Sequence, residues 1–365
     1  MRNAIFFLTL ISLFGLRNSV NAQITSIANG NWSNPLTWGG VPPTPGSTVI
    51  INHAVILDMD YGYSSGSITI NSSGSLDGVT PLRGLGISGG TLTNNGNLSI
   101  ARLALNSGTI ENNGTMENDS LICFTSLTNN TGSTILAGQF MISTNGTFTN
   151  NGTVVSDNFL NISSVTSNGN ISSFDLMNSK TFTNGSTGII NVGHNFLNSD
   201  SITSPAIFTN NGNIAILHDW RNTDQINGTG KFCVQNNTNN SGEMTGSFDF
   251  CDQTGGGIDL NTGNVSGSIT YCQFPCSSGI TVAKTNQTIE IYPNPSNGSL
   301  FVEISGTAKS LSSDILLYNS LGSLIWKNNA NEKQFSLDFS QFPKGIYYIR
   351  INNDGNYYQK TIIFE

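Results

Sequence analysis

Charge is what this chain has least of: 10% of its 365 residues are charged, 14 basic against 22 acidic, for a net charge of −8. Through the middle of the chain the basic residues are few, chiefly Arg83, Arg102, Lys180, Arg221 and Lys231. A surface so poor in cations offers little to a phosphate backbone, so nucleic acid is not expected as a partner. Histidine is scarcer still: His53, His194 and His218 are scattered singly. A zinc site needs several ligands close together, so neither a metal nor another cofactor is expected. Cysteine is limited to Cys123, Cys233, Cys251, Cys272 and Cys276. The odd count leaves at least one thiol unpaired, while the late cluster could staple the end of the middle region. Long apolar runs are also missing, apart from residues 4–16 behind Arg2. That run ends at Arg17, short of a membrane span, and Val20-Asn21-Ala22 puts small residues before Gln23. Residues 1–22 therefore read as a secretory signal peptide. The absence of a nearby cysteine disfavours a lipoprotein route.

A chain with 37% hydrophobic residues and little charge is either disordered filler or a β-structure with a neutral polar surface. Apolar residues recur at intervals throughout, which argues for structure. Between Thr91 and Val234 one phrase returns: Thr91-Leu92-Thr93-Asn94-Asn95-Gly96, Thr109-Ile110-Glu111-Asn112-Asn113-Gly114 and Thr147-Phe148-Thr149-Asn150-Asn151-Gly152. Thr181-Phe182-Thr183-Asn184-Gly185 and Ile207-Phe208-Thr209-Asn210-Asn211-Gly212 repeat it, with weaker copies between. The spacing of about sixteen to twenty residues is too short for a propeller blade and fits one turn of a β-solenoid. One longer gap predicts a coil with an insertion. Within each copy an apolar residue sits between polar ones, so it points inward from a strand while its neighbours point out. The Asn-Gly steps, at Gly96, Gly114, Gly152, Gly185 and Gly212, are expected corners, since these residues tolerate positive φ. Stacked coils bury what one coil cannot, each Leu, Ile or Phe contributing about 1.5–3 kcal/mol. Corner asparagines can hydrogen-bond from coil to coil.

Ahead of the repeats, Trp32 and Trp38 flank Pro35 and precede Pro42-Pro43-Thr44-Pro45-Gly46. They are expected to cover the open end of the first coil in preference to serving as a sugar platform. Polysaccharide lyases and glycoside hydrolases also use parallel β-helices, and they need paired carboxylates or a carboxylate-bound metal. Asp58 and Asp60 share a face if they lie in a strand, and His218-Asp219-Trp220-Arg221 is the densest mixed cluster. Strand alternation would pair Asp219 with Arg221 as a surface ion pair of small value. No catalytic residue is assigned. The Thr-x-Thr phrases place hydroxyls in ranks, a pattern also known from ice-binding solenoids, but Glu111, Ser126 and Ile207 interrupt it. Threonine is in any case a good β-former for a neutral surface.

The final eighty or so residues read differently. Pro293 and Pro295 force a turn through Gly298, after which Leu300, Val302 and Ile304 alternate with polar or outward residues. Asn319-Ser320-Leu321-Gly322 is a further turn, Gly345 restarts the chain after Pro343, and Asp354-Gly355 marks a hairpin. Six or seven short strands imply a small antiparallel, immunoglobulin-like β-sandwich. The ordered motifs Tyr292-Pro293-Asn294-Pro295-Ser296-Asn297-Gly298, Leu317 to Gly322, Leu337-Asp338-Phe339-Ser340, Phe342 to Ile351 with Tyr347, and a last strand with Lys360 are similar to one known family. This segment resembles the type A C-terminal sorting domain of the type IX secretion system of Bacteroidetes. The opening of the middle region resembles bacterial β-helix surface proteins.

The resemblance implies recognition by the type IX secretion machinery, export across the outer membrane to the cell surface or beyond, removal of the sorting domain, and attachment of the remainder to lipopolysaccharide. Asp119-Ser120-Leu121 and Asp200-Ser201-Ile202 match a short O-glycosylation motif of the same bacteria, at Ser120 and Ser201. The expected organisation is a signal peptide at 1–22, an all-β parallel β-solenoid at 23–276, a polar linker at 277–287 and a sorting domain at 288–365. The expected role is structural or adhesive, with a glycan ligand and no catalysis; the alternative is a carbohydrate-active β-helix enzyme.

Overall fold

The computed structural model describes residues 23–78, 82–200, 205–274, 276, 288–305, 313–319, 324–353 and 356–365. The expected signal peptide, the 277–287 linker, Ser201, Gly322 and the Asp354-Gly355 turn lie outside the described residues. The chain divides into two compact units, one up to residue 279 and one from 280 onward.

In the first unit, 31 described strands join in one continuous sheet whose pairings run parallel from coil to coil. Each coil has three sides. The first holds the Thr-x-Thr-Asn phrase, with residues 91–94, 109–112, 126–129, 147–150, 164–167, 181–184 and 207–210 in register. The second stacks 97–99, 115–117, 134–136 and 153–155 and continues to 249–252. The third runs from 102–105 through 120–123, 139–142 and 158–161 to 238–240. The shortest coils have a period of 17 or 18 residues. It lengthens to 26 between Asn184 and Asn210, where the insertion expected from the longer gap is found.

Alternation puts Leu92, Ile110, Leu127, Phe148, Val165, Phe182 and Phe208 in one fully buried file. Phenylalanines from other sides interlock with it: Phe140 meets Phe148 at 4.9 Å and Phe159 at 5.0 Å, and Phe196 meets Phe208 at 4.9 Å. Edge-on contacts of this kind add to the burial energy of each ring. The first coil is closed by Trp32 and Trp38, packed edge to face at 5.2 Å, with the Trp38 Nε1–H donating to the Trp32 carbonyl at 2.8 Å. Both rings are buried, so neither offers an open face to a sugar. The short helix Pro35–Trp38 presents Trp38: Asn34 caps its start, and Gly39 ends it at φ 72°.

At the corner after the first side, each phrase's first asparagine turns inward. Asn94, Asn112, Asn129 and Asn150 are fully buried, and each Nδ2 donates at 2.8 Å to the Oδ1 of the next in the series up to Asn150. Their amides also reach strand carbonyls, Asn94 that of Thr115 and Asn112 that of Thr134. Sequence reasoning missed a second file at the corner after the third side. There Asn161, Asn178, Asn198, Asn222, Asn240 and Asn261 repeat the same bond, at 2.7 Å for the first pair and 2.8 Å for the rest.

The corner glycines stand where expected but for another reason. None of Gly96, Gly114, Gly152, Gly185 and Gly212 has the positive φ that motivated the expectation. A Cβ at Gly96 would instead strike the carbonyls of Asn71 and Gly74, one at Gly114 that of Gly96, and one at Gly212 that of Gly188. Close stacking of coils at the corner, and not left-handed backbone, excludes a side chain here.

The second unit is a small antiparallel β-structure of seven described strands. One sheet pairs Thr288–Tyr292, Ser299–Ser305 and Gln334–Asp338. The other pairs Leu324–Ala330, Ser313–Asn319, Gly345–Asn353 and Asn356–Phe364. Ile291, Leu300, Val302, Leu317, Ile349, Ile362 and Phe364 are among its buried core.

The asparagine file generates a prediction, because it is interrupted. Ser167 occupies the position between Asn150 and Asn184, accepting from Asn150 at 3.1 Å, and Asn184 Oδ1 is left buried with no donor. Ser167→Asn should supply that donor and raise stability by about 1 kcal/mol, whereas Asn129→Ala should cost about 1–3 kcal/mol by orphaning its neighbours. Thermal melts of the two variants check this; an unchanged or lower midpoint for S167N would count against the file as a stabilising element.

Candidate functional site: a walled groove at the last coils

The carboxylates singled out in the sequence do not converge. Asp58 accepts from the backbone N–H of Ser33 at 3.1 Å and from its hydroxyl, tying the first coil to the next. Asp60 accepts from the N–H of Gly84 at 2.7 Å and lies 3.6 Å from the exposed Arg102 guanidinium. The expected Asp219 to Arg221 pairing is replaced, because His218 and Asp219 sit in a corner and only Trp220–Asn222 is strand. Trp220 is fully buried, and Asp219 faces His218 at 3.4 Å and the side chains of Asn236 and Asn237 at 2.8 and 2.9 Å. His194 stands on the neighbouring coil, 4.8 Å from His218 ring to ring, with Asp175 at 3.0 Å and Phe174 stacked on it at 4.8 Å. Among the described residues no group of three His, Cys, Asp or Glu side chains is arranged to hold a metal ion.

On the first side, the outward positions form the ranks expected of the Thr-x-Thr phrase. Thr69, Thr93, Glu111, Thr128, Thr149, Thr166, Thr183 and Thr209 succeed one another in register. Ser120 is outward and half-buried on the third side, in register with Arg102 and Gln139.

A polar groove lies near the solenoid's end. After Thr270–Tyr271 the chain doubles back over the outer surface of the second side. Cys272 bonds to Cys251 and Cys276 to Cys233, and those two partners are neighbours in register on adjacent coils. The returning segment is thereby stapled across two coils, as the late cysteine cluster hinted. Cys123 stays free and buried, and burial pushes its thiol up to about 11. Asp249 fixes the start of the strap: its carboxylate accepts from the Thr270 hydroxyl at 2.9 Å and from the N–H groups of Gln273 and Phe274, each at 3.1 Å.

Between strap and corner runs a groove of about 510 Å³. Its floor is the column Asn213, Lys231, Asp249 and Thr270, in register on successive coils. Asn211, Thr229, Ser247 and Ser268 line it along the corner, and Gln273 and Phe274 form the wall. Gly212 and Gly230 keep the corner low, since a Cβ on either would strike the preceding coil. None of this was readable in sequence beyond the cysteine cluster, because the lining residues come from five separated stretches.

The fold and its terminal unit define a class: an exported β-solenoid that carries its own secretion signal as a folded domain. Residues 290–365 match the family model described as "Secretion system C-terminal sorting domain", so the second unit is a sorting domain of the type IX system. Such a domain is recognised by the type IX secretion machinery, and it directs export across the outer membrane to the cell surface or extracellular space. No curated protein matches the chain. Among solved structures, the chitinase ChiW of Paenibacillus sp. str. FPU-7, described as a cell-surface-expressed multi-modular enzyme, aligns over 93% of this chain and 24% of its own at 10% identity, with a TM-score of 0.18. The chain thus spans about a quarter of that protein, and a likeness of this degree carries no argument about function.

Acid should loosen the end of the solenoid. Burial pushes the Asp252 carboxyl up, but hydrogen bonds from the hydroxyls of Thr238 and Thr254 and the N–H groups of Thr254 and Gly255 outweigh it, so the net shift is downward. A depressed carboxyl contributes stability above its unfolded value of about 3.9 and loses it as pH falls through the folded value. Melting midpoints should therefore drop below about pH 4, and Asp252→Asn should flatten that part of the profile. A wild-type acid slope in D252N would remove Asp252 as its origin.

Proposed function

We propose that this protein is a surface-displayed adhesive and structural solenoid that binds glycans and carries out no chemical step. The observation that carries the reading is the outward rank on the first side, seven threonines with Glu111 as the one charged member. A flat neutral rank of hydroxyls repeating at the strand spacing suits a ligand that is itself a neutral array of hydroxyls. Acid and base catalysis has less support. The carboxylate lining the groove, Asp249, is buried and accepts from Thr270, Gln273 and Phe274, which commits it to holding the strap.

Attachment to lipopolysaccharide after removal of the sorting domain belongs to the same proposal. So does O-glycosylation at Ser120, which its outward position would permit.

The test is binding set against turnover. The purified exported protein, incubated with neutral β-glycans and with pectic, alginate and chondroitin polymers, should be retained on one or more of them without releasing product. Reducing sugar or unsaturated product appearing with time would replace this reading with that of a carbohydrate-active enzyme.

A further inference from the structure

We infer that the groove between the stapled strap and the last coils is the glycan-binding subsite, taking a short segment of an uncharged oligosaccharide with one pyranose face laid on Phe274; this rests on the adhesive reading. The volume of about 510 Å³ falls within the roughly 300–1,000 Å³ of small-molecule sites.

The chemistry of the lining sets the ligand class. Asn211, Asn213 and Gln273 bring side-chain amides, and Ser186, Ser247 and Ser268 bring hydroxyls, groups that both donate to and accept from sugar hydroxyls. Lys231 and Asp249 are adjacent in register on the floor, so the two formal charges offset each other and neither anionic nor cationic polymers are favoured.

Phe274 supplies the platform. The residue is 60% exposed, yet its backbone is held by the Asp249 carboxylate and lies between Cys272 and Cys276, both disulfide-bonded to the coils. An aromatic side chain on an anchored backbone and left wet contributes nothing to the core, but it offers an apolar face to the C–H side of a sugar. Another exposed aromatic of the solenoid, Phe174, is already stacked against His194 at a corner. The strap is thus the element that turns a corner of the solenoid into a site. Its two disulfides hold the wall at fixed separation from the floor, as a preorganised site requires.

The experiment uses the full exported chain with its disulfides formed, titrated with cello-, xylo-, manno- and chito-oligosaccharides and with oligogalacturonate as the anionic contrast. Wild type should bind one or more neutral oligosaccharides and not oligogalacturonate. Phe274→Ala should weaken binding at least tenfold, and Cys233→Ser with Cys276→Ser, which frees the far end of the strap, should weaken it similarly. Phe174→Ala is the control and should bind as wild type, with melts showing that all variants fold. If wild type binds and F274A binds equally well, the groove is not the site and the adhesive reading survives alone. Preference for oligogalacturonate would overturn the assignment of an uncharged ligand. If wild type binds none of the sugars, the glycan reading itself falls, and this inference with it.

Discussion

A buried primary amide must be answered on both sides, and that requirement holds this solenoid in register. Backbone pairing between parallel coils is generic and would tolerate a slip, but a slip of one residue would drive Asn112 or Asn129 outward and leave polar groups orphaned in the core. Each asparagine in the file therefore measures its neighbour. The intervals it spans vary, 18, 17 and 21 residues from Asn94 to Asn150, while the bond length remains 2.8 Å. Slack in coil length is taken up in the corners, as in the 26-residue coil between Asn184 and Asn210. Variation in length without variation in register is what allows a loosely repeating sequence to build a regular stack.

The two amide files divide the work along the axis. At the corner after the third side, the positions preceding Asn161 are Cys123 and Ile142, apolar and fully buried. From Asn161 onward that corner is amide-lined to Asn261, while the first file gives way after Asn210 to Gly228. Either chemistry seals a corner, apolar packing or a closed chain of hydrogen bonds. What the core does not tolerate is a half-made chain, and Ser167 with the orphaned Asn184 oxygen is the place where that cost is visible.

The stack and its period were legible because alternation and the Asn-Gly phrase are local signals. Leu92, Ile110 and Phe148 announce a one-faced strand to any reader of three residues. The reason for the glycines was not legible: Gly96 and Gly114 are short of room under the preceding coil, a fact about stacking that no dihedral preference encodes. The second amide file was hidden although its spacing is as regular as the first, because Asn161, Asn178 and Asn198 have no glycine after them to punctuate the phrase. His218 and Asp219 were misread as strand because the corner before Trp220 carries neither glycine nor proline. The groove depended on which cysteines pair, and five cysteines leave that open until the register sets Cys233 beside Cys251. Phe274 lay in a stretch where the apolar rhythm thins, and its position is set by Asp249 and the staples alone.

In the sorting domain, the motifs read as separate words are parts of one joint. Asn294, between the two prolines, donates its Nδ2–H to the Thr361 carbonyl at 2.7 Å, while its Oδ1 accepts from the Ile363 N–H at 2.9 Å. Its side chain thus takes the place of a neighbouring strand for the last residues of the chain. Ser296 extends the joint, its N–H donating to the Ile363 carbonyl at 2.9 Å and its own carbonyl accepting from the Glu365 N–H at 2.8 Å. Lys360 reaches the Ile291 carbonyl at 3.0 Å, and Tyr347, buried against Phe364, donates to the Pro343 carbonyl at 2.7 Å. Gly298, at φ 99°, is needed where a Cβ would meet Ser340 in the third motif. Asn294 and Thr361 are 67 positions apart and Lys360 and Ile291 are 69, yet each bond requires the other end of the domain to be folded. The order of these short motifs is thus tied to closure of the sandwich, since each supplies one side of a contact between segments distant in sequence.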